Sequence, residues 1–318
     1  MSPPSLDATA FVWQDIINYP LPSWTSVMLE PLPLWQICAI NFGAVFTVYS
    51  LLHMMTYPEP GRSYFAPFKR NKRFVAPELV SKEFKRCMVS VSICCCYDAL
   101  ISYLHQNKAL PIQDGGEHWL SNDQIAGIGP VLLVFVALMA WGDTHFYVVH
   151  RSLHESPFLY RHVHKIHHES YNPDCWSGLS FHPVEGVLYF SGLLLCTVLP
   201  IPYYVFFGQK LGVLLFPANG HLGYELPLDS DLAKEVLGSL HHYIHHTKFN
   251  YNYGSPSPFW DIVFGTEFIP PKGTKTGPGG NKLDQGGLDF DPREEAAKRQ
   301  AREAGHEFST DSQEAVEG

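Results

Sequence analysis

Nowhere in its 318 residues does this chain carry a Cys-x-x-Cys pair, an HExxH box, a GxGxxG run or an HPGG run. The first absence, with three of the seven cysteines contiguous at Cys94, Cys95 and Cys96, argues against a thiolate zinc site and a disulfide framework. The second removes the helix-borne zinc hydrolase signature, and the third a dinucleotide-binding loop. Without HPGG there is no sign of a fused haem domain of the cytochrome b5 type. Lys and Arg are missing from residues 1–33, so the basic start of a cleavable signal peptide is not seen. Between Leu34 and Tyr57 acidic and basic residues are both missing. The net charge of −9 comes largely from acid after Asp284, which leaves no basic excess of the kind that binds nucleic acid.

What is present is apolar and segmented. The run from Leu34 to Tyr57 is long enough to cross a bilayer, which takes roughly 20 residues. A second run covers residues 87–104 and a third residues 128–149, interrupted by Asp98 and Asp143. Charge inside a span is costly and turns to the bundle interior. Residues 184–216 hold Pro200 and Pro202 and read as two tilted helices or a re-entrant hairpin, returning the chain to its starting side. The expected fold is all-α: an integral membrane bundle of about four to five helices, or with a hairpin, under a histidine-rich helical cap.

Arg62, Lys69, Arg70, Lys72, Arg73, Lys82, Lys85 and Arg86 follow the first span. By the positive-inside rule they place that loop in the cytosol and residues 1–33 in the lumen. Counting spans forward puts every later histidine cluster on the cytosolic side. The expected organisation is a lumenal segment at 1–33, two membrane helices with the basic loop at 34–127, a histidine-bearing catalytic domain at 128–269, and a polar tail at 270–318. That tail lacks an apolar face and reads as mostly disordered.

Histidines recur three or four apart: His150 and His154, then His164, His167 and His168, then His242, His245 and His246. On a helix this spacing shares one face. One zinc takes three or four protein ligands, so eight imidazoles argue for two adjacent metals. Imidazole suits zinc, copper, iron and nickel alike, so spacing does not name the ion. Clusters at span ends, with no HExxH, suit oxygen chemistry on an unactivated C–H bond of a lipid reached from the bilayer. The alternatives are a histidine-rich loop of a metal transporter and a scaffold without activity. A transporter should carry ionisable residues near the middle of several spans.

Asp143, His150, Arg151 and His154 form D-x6-HRxxH, followed by HKxHH at His164 to His168, Asn172-Pro173 and FHPVEG from Phe181. GHxGY from Gly220, HHYIHH from His241 and NYGSPSPFWDIVFGT from Asn252 complete the order. From Ala140 to Phe268 the chain resembles the membrane-bound fatty acid hydroxylase and sterol desaturase superfamily. The resemblance implies a non-haem di-iron centre, dioxygen as oxidant, a place in the endoplasmic reticulum, and electrons from NAD(P)H through a separate carrier such as cytochrome b5.

It also implies His150, His154, His164, His167, His168, His242, His245 and His246 as core ligands, with His221 at a further ligand position. His182, ahead of Pro183, is expected as a ligand or a structural group. His145 lies five residues before His150, off that helix face. His241 would orient a neighbouring ligand, and Asp143 would be a partner behind the site or an interfacial helix-end aspartate. The implied substrate is a membrane lipid, a sterol or relative handled as by a sterol C-5 desaturase or C-4 methyl oxidase. The alternative is fatty acyl or sphingoid-base hydroxylation. FNYNYG from Phe249 looks like C-5 desaturases, yet Glu185 stands where those often carry aspartate. The basic run from Arg62 to Arg86 is expected to dock the carrier, or only to set topology and meet anionic lipid.

Overall fold

A computed structural model describes residues 32–57, 69, 74–107, 109–110, 128–170, 172–199, 203–224, 239–255 and 257–268. The expectations for the N-terminal segment up to residue 31, for the tail at 270–318, and for Arg62, Arg70, Lys72 and Arg73 lie outside the described residues.

Helices build the described chain, and no strand occurs among the described residues. The first, α1 (Leu34–Thr56), buries Ile37, Asn41, Val45 and Tyr49 at four-residue intervals and exposes Trp35, Phe46, Leu51 and Met54. One face packs inward and the rest is apolar, as a lipid-facing helix requires. Proline at the first turn starts α2 (Pro77–Gln106), where a missing N–H costs nothing. Next comes α3 (Ile128–Glu155), which continues past its apolar stretch and lifts His150 and His154 on its last turns. These three helices are long and apolar enough to cross a membrane.

The remaining elements are short: α4 (Pro157–His162), 3₁₀ turns at His164–Glu169 and Cys175–Leu179, α5 (Pro183–Phe190), α6 (Leu193–Thr197), α7 (Tyr203–Gly220), α8 (Leu240–Lys248) and α9 (Phe259–Phe264). Residues 183–220 thus take a broken form, two short helices and then α7. Three described helices, against the expected four to five, meet the length and apolarity of a span.

The Cys175–Leu179 turn wedges into the bundle. Trp176 meets Tyr49 at 5.5 Å and the edge of Phe84 at 4.9 Å between ring centroids. A Cβ on Gly178 would lie 2.6 Å from the Pro217 carbonyl oxygen, so only glycine lets this turn approach α7 so closely. Pro217 sits inside α7 and has no N–H to give Val213; the Tyr189 hydroxyl donates to that carbonyl instead, at 2.8 Å. Deeper in the bundle Lys210 donates to both oxygens of Asp98 (3.1 and 3.3 Å), and Asn41 Nδ2 donates to the same carboxylate at 2.7 Å. Asp98 therefore faces the interior, as its place in a span demanded.

Lys69 departs from the docking expectation for the basic run. It is buried, donates to Asn172 Oδ1 at 3.2 Å, and lies over the Tyr57, Phe74 and Tyr224 rings. An ammonium so enclosed is a strut of the fold and presents no charge to a docking partner. Lys82 and Lys85 remain exposed on α2.

Candidate metal centre

Four elements deliver nine imidazoles to one end of the bundle. The last turns of α3 supply His150 and His154, the first 3₁₀ turn His164, His167 and His168, the end of α7 His221, and α8 His242, His245 and His246. They sort into two groups. His150, His154, His164, His168 and His245 form one, and His167, His221, His242 and His246 the other. Within each group the candidate ligand atoms all lie within 4.8 Å of one another. The groups share a wall, where the His168 and His246 rings are 4.9 Å apart.

Hydrogen bonds on the back of the rings set their chemistry. His150 Nδ1 donates to the Tyr253 carbonyl (2.6 Å), His245 Nδ1 to Tyr251 (2.7 Å) and His221 Nδ1 to Pro217 (2.7 Å). His164 Nδ1 donates to Glu185 Oε1 at 2.8 Å. With the proton held on Nδ1, each of these rings turns a bare Nε2 lone pair inward. There His168 Nε2 stands 3.0 Å from Nε2 of both His154 and His164, and 3.2 Å from that of His245. His221 Nε2 stands 3.0 to 3.3 Å from those of His242, His246 and His167.

Lone pairs at such distances repel unless a proton or a cation lies between them. Protons are disfavoured here. Burial first, and then neighbouring imidazoles, hold His164, His167, His168, His242, His245 and His246 well below the ordinary histidine range. Burial likewise brings His221 down to about 4, against the opposing pull of the Pro217 carbonyl. Neutral, desolvated nitrogens converging in two groups fit two metal ions, one per group.

The other sequence candidates fall outside both groups. His145 Nε2 pairs with Ser191 Oγ at 3.0 Å, and His182 Nδ1 accepts from Val184 N at 3.2 Å as the cap of α5. His241 Nε2 meets Asp261 Oδ2 at 3.0 Å. Asp143 stands within α3, clear of its ends, and makes no hydrogen bond to a histidine among the described residues; its Oδ1 is buried and unpaired.

Two groups that the sequence reading did not place turn out to support the site. Glu185 backs His164. Asp261 is fully buried and accepts from Tyr253 N (2.8 Å), Gly254 N (2.7 Å) and Thr266 Oγ1 (2.7 Å), clamping the turn whose carbonyls hold His150 and His245. Burial alone would raise the Asp261 carboxyl, but His241, Thr266 and the Gly254 N–H outweigh it and hold it below its usual range. The visible signal was a single acid inside the apolar FWDIVF run. The Tyr251, Tyr253 and Pro217 carbonyls leave no mark in a sequence.

A cavity of about 110 Å³ opens on the same histidines. Met139, Phe146, Tyr189, Leu193, Val213 and Phe216 give it an apolar wall leading to His150, His164, His167, His221 and His242.

Residues 135–266 match the protein family described as fatty acid hydroxylase. Methylsterol monooxygenase 1 of Rattus norvegicus is 32% identical over 127 residues, 39% of this chain and 43% of that protein. The Delta(7)-sterol 5(6)-desaturase of Leptosphaeria maculans is 33% identical over 135 residues, 40% and 35% of the two chains. Lathosterol oxidase of Rattus norvegicus is 30% identical over 149 residues, 46% and 49%. The chain thus spans less than half the length of these curated relatives. No solved structure matches it significantly.

Proposed function

We propose that this chain, whose residues 135–266 match the fatty acid hydroxylase family, is a membrane-bound di-iron oxidoreductase that hydroxylates or desaturates a lipid with dioxygen. The observation that carries the reading is the pair of convergent imidazole groups at the end of an apolar cavity. His150, His154, His164, His168 and His245 would hold one iron, and His167, His221, His242 and His246 the other. When bound, the pair would supply the oxidation-state changes that reduce dioxygen and oxidise a C–H bond.

The chain's own part is positional. Tyr251, Tyr253, Pro217 and Glu185 hold four ligands in one tautomer, and the apolar wall orients the lipid and keeps water out. The sterol relatives favour a sterol, oxidised in the manner of a C-5 desaturase or a C-4 methyl oxidase. Fatty acyl or sphingoid-base hydroxylation is the second reading, favoured by the description of the family that residues 135–266 match. A metal transporter is disfavoured because Asp98 and Lys210, buried in the bundle, neutralise each other.

The site would face the cytosol, in the endoplasmic reticulum, with electrons from NAD(P)H arriving through cytochrome b5 or a similar carrier. Positive-inside charge supports this orientation, with Lys82 and Lys85 exposed on α2. The test is lipid profiling of a host lacking the protein, with and without its re-expression. Wild type should restore an oxidised lipid, and His168→Ala should lower it at least about 100-fold together with iron content. Metal uptake without any oxidised lipid would refute the enzyme reading.

A further inference from the structure

Glu185 uses one carboxylate oxygen to hold His164, and the other has no partner. Oε1 accepts from His164 Nδ1 at 2.8 Å, whereas Oε2 is buried without a hydrogen bond in a residue only 4% exposed. The side chain lines the apolar cavity. A buried acceptor left without a partner forfeits its hydration and gains nothing in return, so a donor carried in by a ligand would be strongly favoured there. We propose that Glu185 Oε2 receives the hydroxyl of the lipid substrate and makes Glu185 the residue that selects a lipid alcohol with its oxidised carbon close to the hydroxyl. The inference rests on the di-iron lipid reading above.

Position decides between Glu185 and two rival acceptors. Gln209 Oε1 and Asp143 Oδ1 are also buried, unpaired and on the cavity wall. Gln209 precedes His221 by twelve residues along α7, about 18 Å of helix rise, and Asp143 precedes His150 by seven along α3, about 10 Å. Either would hold a hydroxyl remote from the converging Nε2 atoms. Only one imidazole ring separates Glu185 from them. A carbon brought up to the metal groups therefore has its nearest reader in Glu185, a few bonds away, as oxidation at C-4 or C-5 beside a 3-hydroxyl requires. A site built to pair a hydroxyl discriminates steeply against an analogue lacking the donor, because its acceptor is then left bare.

Glu185→Gln makes this testable. The carboxamide oxygen can still accept from His164, while its NH2 replaces the free acceptor with a donor. Iron-loaded wild type and variant are given a Δ7-sterol and a 4-methylsterol, each as 3-hydroxyl, 3-ketone and 3-deoxy forms. Wild type should prefer the alcohol by at least about 100-fold in kcat/KM. The variant should keep its iron, lose that preference, and favour the ketone, an inversion that a merely structural role would not produce. Glu185→Asp, which restores a carboxylate, should restore the alcohol preference. If wild type is indifferent to the hydroxyl, or the variant loses iron or keeps the alcohol preference, Glu185 is not the selector. If Gln209→Leu alone abolishes the preference, the lipid lies the other way round and the inference fails. If iron-loaded wild type oxidises no form of either lipid, it is the sterol reading itself that fails.

Discussion

Asp261 bonds to none of the nine clustered histidines, yet it fixes the backbone that orients two of them. Its oxygens take the Tyr253 and Gly254 amides, and the Tyr253 carbonyl in turn takes His150 Nδ1. Asp261→Asn puts an NH2 against one of those amides, donor against donor. Metal affinity should fall about 10–100-fold, as losses behind a metal ligand do. Iron titration of the purified protein checks this, and unchanged occupancy would count against the clamp. At this scale much of the site was legible: spacing brought out eight histidines, and the family resemblance added His221. What stayed hidden was which Nδ1 is pinned, because the acceptors are mostly main-chain carbonyls. His182 shows the converse. Its His-Pro context admitted ligation, but the ring caps α5.

Local geometry departs from expectation in HKIHH, which forms a 3₁₀ turn and not an α-helix. From this turn His167 goes to one group and His164 and His168 go to the other. Among the elements, α9 is inverted for a soluble cap. Asp261 points inward, while Phe259, Ile262, Val263 and Phe264 are each 54–59% exposed. It lies along α3, with Phe264 stacked on Tyr147 at 5.5 Å and Trp260 Nε1 donating to Thr144 Oγ1 at 3.0 Å. Val148 of α3 is exposed beside it, so the two apolar faces run together. The bilayer that surrounds α3 should therefore also receive α9. Nitroxide labels at Ile262 and Val263 in proteoliposomes should be relaxed more by oxygen than by a water-soluble nickel chelate. Labels favouring the chelate would place α9 in water.

For the molecule as a whole, the bundle is tied together at Asp98, Lys210 and Asn41, on three different helices and all buried. Removing one charge leaves the other uncompensated in a dry interior. Lys210→Met should destabilise by about 3–5 kcal/mol, and adding Asp98→Leu should recover much of that loss. Unfolding in detergent measures both, and a double variant no better than the single would refute the pairing. The apolar runs identified the helices that can span a membrane, since length and uniform hydrophobicity suffice to demand lipid. Histidine number and spacing likewise gave the expectation of two adjacent metals, and the described histidines do converge in two groups. The division into groups of five and four, the bare Nε2 atoms, the burial of Lys69 and the unpaired oxygen of Glu185 were decided only by tertiary structure. Each depends on residues far apart in the chain, and packing alone chooses among the partners that their chemistry permits.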